Sequence, residues 1–152
     1  MRKNERVVTE RWLKRARIGH LGTSGRKGVP LVVPVCFVYD GDAIYSVIDR
    51  KPKRKQPEAL RRLVNILENP NACLVVDEYH EDWKRLKYII IQGKARVLTR
   101  GEEYLSAISQ LRKKYRQYRY MRLMSRPIIK IAPRRIIVWS YERTQNTQAK
   151  RI

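Results

Sequence analysis

Four cations fall within five residues at Lys51, Lys53, Arg54 and Lys55, broken only by Pro52. Pro57 follows, a residue suited to the first turn of a helix. A helix start offers unpaired N–H groups and the positive end of its dipole, so cations beside it make a phosphate site. Arg61 and Arg62 lie one turn inside that helix and can point the same way. The plainer reading is a solvated basic loop, because 35 Lys and Arg against 14 Asp and Glu give the whole chain +21. Trp83, in a polar stretch after Glu81-Asp82, and Trp139, closing an apolar run, are the second signal. A Trp beside a basic site can cover a planar ligand, and can equally anchor a core or an interface.

Other chemistry finds little support. No GxSxG elbow, HExxH pair or phosphate-loop motif is present. Cys36, His20 and His80 have no spacing that favours a nucleophile–base pair or a metal site. Asp40 with Asp42, and Glu81 with Asp82, fall where turns are expected, and these residues are good turn formers. An enzyme built on this chain would therefore draw its reactivity from an organic cofactor that the protein binds and orients.

The elements that must position these residues follow from pattern. Val8, Trp12 and Ala16 repeat at helical spacing over 5–16. Thr23 to Gly28 is a hairpin loop, and Val29 to Tyr39 is one long strand whose Pro30 and Pro34 require an edge, a bulge or a ligand. Asp40-Gly41-Asp42 turns the chain into a returning strand over 43–48. After the basic run, a helix starting at Pro57 carries a stripe of Leu60, Leu63, Val64 and Leu67, and Asn69-Pro70-Asn71 stops it. Strands follow over 72–79 and 86–98, the second interrupted at Gly93. Thr99 with Glu102 fits a capping box for a helix that turns Leu105, Ile108, Leu111 and Tyr115 inward. Residues 127–139 supply a last strand pair or one bent strand, with Pro133 near the bend. Six strands and three helices, joined mainly by hairpins, predict an α+β fold with an antiparallel sheet closed into a small barrel. Residues 1–143 read as one domain, followed by a basic polar tail over 144–152.

Composition narrows the classes. An apolar content of 43% excludes a wholly disordered chain. No apolar run approaches the roughly 20 residues of a membrane helix, so no membrane partner is expected. Met1-Arg2-Lys3-Asn4-Glu5-Arg6 leads into no apolar stretch of a secretory signal, and Cys36 and Cys73 read as buried reduced thiols, which together place the protein in the cytoplasm. The charge predicts an anionic partner. A nucleic-acid interface would interleave aromatics with cations on one surface, whereas the basic residues here are spread over nearly every segment. Binding to nucleic acid is therefore expected to be weak and without sequence preference.

These residues, in this order, resemble a known family. The run Ala16-Arg17-Ile18-Gly19-His20-Leu21-Gly22-Thr23, followed by Gly28-Val29-Pro30-Leu31-Val32-Val33-Pro34-Val35-Cys36-Phe37, looks like the opening strands of the pyridoxamine 5′-phosphate oxidase-like, FMN-binding split-barrel proteins. Asp40-Gly41-Asp42, Lys51-Pro52-Lys53-Arg54, Leu60-Arg61-Arg62 to Asn69-Pro70, Glu81-Asp82-Trp83 and Gly93-Lys94-Ala95-Arg96-Val97 continue it. The Lys-Pro-Lys-Arg and Glu-Asp-Trp pieces are most similar to the branch of probable coenzyme F-420 (deazaflavin)-dependent enzymes.

The resemblance implies a six-stranded antiparallel split β-barrel with about three flanking helices, and a homodimer with two cofactors at the subunit interface. It places an FMN or deazaflavin ring against Pro34 and Val35 and the Ile48 end of the neighbouring strand. Lys51, Lys53, Arg54, Arg61 and Arg62 would hold the phosphate, with Trp83 and Trp139 as aromatic candidates. The spacer from Lys53 to Asn69-Pro70 is longer than in the oxidases proper, and their C-terminal pattern for gripping pyridoxal phosphate is missing. The function implied is a flavin- or deazaflavin-dependent oxidoreductase acting on a small organic molecule, not a true pyridoxamine phosphate oxidase. The alternative is a non-catalytic FMN or haem carrier on the same barrel, for which His20 or His80 would have to ligate iron.

Overall fold

A computed structural model describes residues 3–49 and 57–141. Lys51, Lys53 and Arg54, and the tail over 144–152, lie outside the described residues. Helix α1 covers Lys3–Arg15, followed by β1 (Gly19–Ser24), β2 (Pro30–Val35), β3 (Val38–Tyr39) and β4 (Ile44–Val47). Helix α2 (Pro57–Glu68) leads to β5 (Asn71–Glu78) and β6 (Lys87–Leu98), then α3 (Glu102–Lys114) and β7 (Ile128–Ser140). Short 3-10 turns occupy Trp83–Arg85 and Arg116–Arg119.

All seven strands join one antiparallel sheet in the order β2-β1-β5-β6-β7-β4-β3. The two edge strands are neighbours in the chain, separated only by Cys36 and Phe37. The expected single strand over 29–39 is thus two, and the strand count is seven rather than six. The cause is local. At Phe37 the backbone leaves its partner β1 before it meets β4, and side chains stand in for a strand neighbour. Phe37 N–H donates to the Tyr115 hydroxyl at 2.9 Å, and Lys114 Nζ donates to the Phe37 carbonyl at 2.8 Å. The Tyr115 oxygen also lies 2.8 Å from the carbonyl oxygens of Phe37 and Arg17, which share its one proton.

Alternation sorts the sheet into two faces. The inner row Val33–Leu21–Leu74–Ile91–Ile136 runs across five strands in register, and its three middle side chains are completely buried. At Gly93 the ladder shifts register, and a side chain there would collide with the Ala132 carbonyl, so only glycine permits this crossing. Trp12 and Leu13 of α1 plug one end of the core, while Val8, expected on the buried stripe, is exposed. A second cluster lies under α3, where Tyr104, Ala107, Ile108 and Leu111 cover Val38, Tyr45 and Ile128. Leu105 is exposed instead, because Tyr104 takes the inward position and its hydroxyl donates to the Arg126 carbonyl at 2.9 Å. The helix is capped by Gly101, at φ 95°, with no side-chain cap from Thr99. No described helix is long and apolar enough to cross a membrane.

Candidate functional site

Helix α2 begins at Pro57 as its sequence predicts, and Leu63 of the expected leucine stripe packs against the core, but the buried face is centred elsewhere. Arg62, Asn65 and Ile66 are buried, whereas Val64 is exposed and Leu67 is 76% exposed. Polar contacts set this rotation. Asn65 Nδ2 donates to Thr23 Oγ1 at 3.1 Å, and Glu68 Oε2 accepts the Arg26 backbone N–H at 2.8 Å. The helix is tied to the β1–β2 hairpin at its C-terminal end, and this turns Arg62, at its middle, inward.

Arg62 is only 7% exposed, and its Nε has no hydrogen-bond partner among the described residues. Burial pulls its guanidinium below the usual value, opposed by the nearby Asp49 carboxylate. Asp49 follows the Ile48 end of β4 and accepts a hydrogen bond from the Tyr118 hydroxyl at 3.1 Å. Cys36 meets the same hydroxyl from the β2–β3 break. Burial raises the Cys36 thiol, so it stays protonated at neutral pH and makes a poor nucleophile. Burial likewise lifts the Tyr118 hydroxyl above its ordinary range. Lys114 sits beside this group, its pKa lowered to about 8 by burial and by Arg17. The end of β4, the sheet break and the first turns of α2 therefore converge on one half-buried, cation-rich corner.

The other expected site residues separate by position. Val35 and Ile48 are buried in the core, so a ring could meet only their backbone. Pro34 is exposed on the edge strand β2, as a strand proline must be, and Arg61 is exposed beside buried Arg62. Trp83 is 63% exposed in the turn between β5 and β6. Trp139 is half-buried and stacks on Tyr88, with ring centroids 5.2 Å apart. The outer rows of the sheet locate it. Pro34–His20–Val75–Ile90–Ile137 is one row, and Asp77–Tyr88–Trp139 is the next. Four strand intervals, on the order of 19 Å, separate β2 from β7. Pro34 and Trp139 of one chain therefore share a face but cannot flank one ring.

Sequence reasoning missed Asp49, Lys114 and Tyr118 as parts of this corner. Tyr115 was visible only as one more inward residue of α3, and nothing local marks a hydroxyl that bridges a strand break far away in the chain. Cys36 and Cys73 are both free and half-buried.

Known proteins share this architecture. A conserved hypothetical protein from Mycobacterium tuberculosis superposes with a TM-score of 0.72 at 19% identity, covering 95% of this chain and 88% of that one. HutZ, the heme storage protein from Vibrio cholerae, matches with a TM-score of 0.69 at 18% identity, covering 91% and 95%. A protein described as an F420 reductase matches with a TM-score of 0.55 at 21% identity, covering 84% and 94%. Identities this low carry the fold alone. No curated protein sequence matches the chain. The family model described as pyridoxamine 5′-phosphate oxidase matches residues 8–140, and the antiparallel split barrel built by those residues agrees with it. The chain belongs to the pyridoxamine 5′-phosphate oxidase family.

Proposed function

We propose that this protein is a flavin- or deazaflavin-dependent oxidoreductase of the cytoplasm, working as a homodimer on a small organic substrate. The observation that carries this reading is Arg62, a residue 7% exposed whose Nε has no partner among the described residues, less than two turns from the start of α2. A buried cation without full pairing is costly, and a phosphate at the helix start would relieve that cost. Lys51, Lys53 and Arg54 precede the same helix in sequence and would add charge at the phosphate. The ring would then lie toward the Pro34–Val35 edge, where proline removes competing N–H donors and leaves backbone carbonyls available.

The outer face supports the dimer reading. Val32, Pro34, Val75, Ile90, Ile137 and Trp139 make it too apolar to stay wet, and the corresponding face of a second copy would cover it. Such a two-fold contact would bring the Trp139 end of one chain over the Pro34 edge of the other. When bound, a ring of this kind supplies a hydride, two electrons with one proton, while solvent water supplies the second proton. The chain's own part is to grip the phosphate and orient the ring.

A second reading, a haem carrier without turnover, is favoured by one observation. His20 lies on the outer face with Nδ1 3.4 Å from Asp77 Oδ1, which leaves Nε2 free to ligate iron. The likeness to HutZ supports that reading, and the likeness to the F420 reductase supports the first.

Absorbance and fluorescence titration of the purified protein with FMN, coenzyme F-420 and haem tests both. Micromolar or tighter binding of FMN or F-420, lost in Arg62→Ala, is expected. Haem binding alone, abolished by His20→Ala and indifferent to Arg62→Ala, would replace the first reading with the second. Sedimentation showing only an 18.2 kDa species would remove the dimer.

A further inference from the structure

Between Tyr104 and Tyr141 the sequence holds no Asp or Glu. Within that span Arg112, Lys113, Arg116, Arg119, Arg122 and Arg126 follow one another at intervals of one to four residues. None of the six forms an ion pair with a carboxylate among the described residues, whereas Arg96 and Lys130 both engage Glu103. The end of α3 and the 3-10 turn after it therefore gather cations that no carboxylate among the described residues neutralises.

The surface has shape as well as charge. A groove of about 420 Å³ runs along it, with Leu105, Ile108 and Met124 as an apolar floor and Arg112, Lys113 and Arg119 as a basic wall. Arg112 holds its Nε buried and without a partner among the described residues, a donor left unmet at the groove wall. Arg119 donates through Nε to the Arg112 carbonyl at 3.1 Å and through a terminal nitrogen to the Lys113 carbonyl at 3.4 Å. Those carbonyls belong to the negative end of α3, so Arg119 covers two groups that would repel an anion. Tyr120, the next residue, is 79% exposed, the largest exposure of any large apolar side chain described. Its ring stands free on a turn crowded with arginine.

We infer that this surface binds single-stranded nucleic acid without sequence preference, its phosphates meeting the arginines and one base stacking on Tyr120. Unpaired cations along a groove follow a phosphate backbone, and an exposed ring among them accepts any base. An acidic peptide would satisfy the cations but would leave Tyr120 without a partner. Aromatic and basic residues interleave in the chain from Tyr115 to Arg122, and Arg116, Arg119, Tyr120 and Arg122 of that run are exposed next to the groove wall in sequence. The surface packs over β3 and β4 beside the Lys114 and Tyr118 corner, and it is read from its own charge and shape rather than from the cofactor proposal.

The test is fluorescence anisotropy with the full chain, a labelled oligo-dT of about 20 nucleotides and a duplex of equal length, at ~0.15 M salt and over a salt series. Binding to oligo-dT that exceeds duplex binding about tenfold is expected. Arg116→Gln with Arg122→Gln, both exposed, should weaken it about tenfold and reduce the salt slope by roughly 1.4, for two phosphate contacts on a single strand. Tyr120→Ala should weaken it about tenfold while leaving the salt slope unchanged. Arg26→Gln with Arg100→Gln removes the same charge elsewhere and should cost less than threefold, and melting temperatures verify that all variants fold. Equal losses in the two double variants would overturn the proposal in favour of the diffuse field of a +21 chain. Failure to distinguish oligo-dT from duplex, or indifference to Tyr120→Ala, would also overturn it. So would tighter retention on phosphatidylserine vesicles that is lost in the same variants, which would identify a lipid surface instead.

Discussion

Two basic regions of this molecule handle charge in opposite ways. At the start of α2, Arg62 is drawn into the protein, desolvated, and flanked by Asp49 and Tyr118. Just after α3, Arg116, Arg119 and Arg122 stay in water and form no ion pair with a carboxylate among the described residues. A buried cation acts as an individual, because its surroundings are fixed and low in dielectric. Exposed cations act as a field, screened within about 8–10 Å at ordinary salt. Net charge alone does not distinguish the two, although they bind anions by different physics.

The largest effect should come from removing the individual. Arg62→Ala is expected to weaken FMN binding about 100-fold, since a charge-assisted contact to phosphate is worth roughly 1.5–3 kcal/mol and burial places this one at the upper end. Binding in this variant should depend on salt much as in the parent. If Arg61→Ala, its exposed neighbour, weakens FMN equally, burial is not what matters and the contrast fails.

The next effect concerns the seam that both regions share. Tyr115→Phe removes the hydroxyl that serves the Phe37 N–H and the Arg17 and Phe37 carbonyls. Leaving buried backbone groups unpaired costs about 1–3 kcal/mol, which denaturant unfolding will register as a lower midpoint at unchanged slope. An unchanged midpoint would mean that water replaces the hydroxyl.

Lys114 lies between the extremes, half-buried, with a pKa lowered to about 8. Its folded value lies below the unfolded one of about 10.4, so the unfolded chain binds more protons between those values and stability rises with pH across that window. Relative to Lys114→Met, the parent protein should gain melting temperature from pH 8 to 10. A parallel pair of curves would contradict this. The smallest effect is expected for Arg61→Ala, within about 0.5 kcal/mol in stability.

What the sequence revealed was what local residues decide. Pro57 marks the first residue of α2, Gly93 marks the register shift in β6, and Asp40 turns the β3–β4 hairpin by accepting the Asp42 and Ala43 N–H groups at 2.9 and 2.8 Å. The order of elements followed from these signals, and the resemblance placed the sheet in a split barrel. What escaped was decided at a distance. Val29 to Tyr39 reads as one strand because its β-branched and aromatic residues favour one despite Pro30 and Pro34, and its division depends on Lys114 and Tyr115 of another element. The leucine stripe of α2 is a sound helical pattern, yet Asn65 and Glu68 find polar partners on the β1–β2 hairpin and turn Arg62 inward. Of the candidate site, Arg62 was legible as a cation near a helix start, but neither its burial nor its neighbours Asp49 and Tyr118 were.

The break at Cys36 and Phe37 also bears on how this protein can fail. A sheet with free edges invites pairing with other copies, and here the edges are β2, of six residues, and β3, of two. They lie end to end on one run of chain, so neither can peel away without dragging the other. A proteolytic cut between Cys36 and Phe37 would sever that clasp while leaving every helix intact. The released β2 could then seek its β1 partner in a neighbouring molecule, and strand exchange between nicked copies would be the first step toward aggregation.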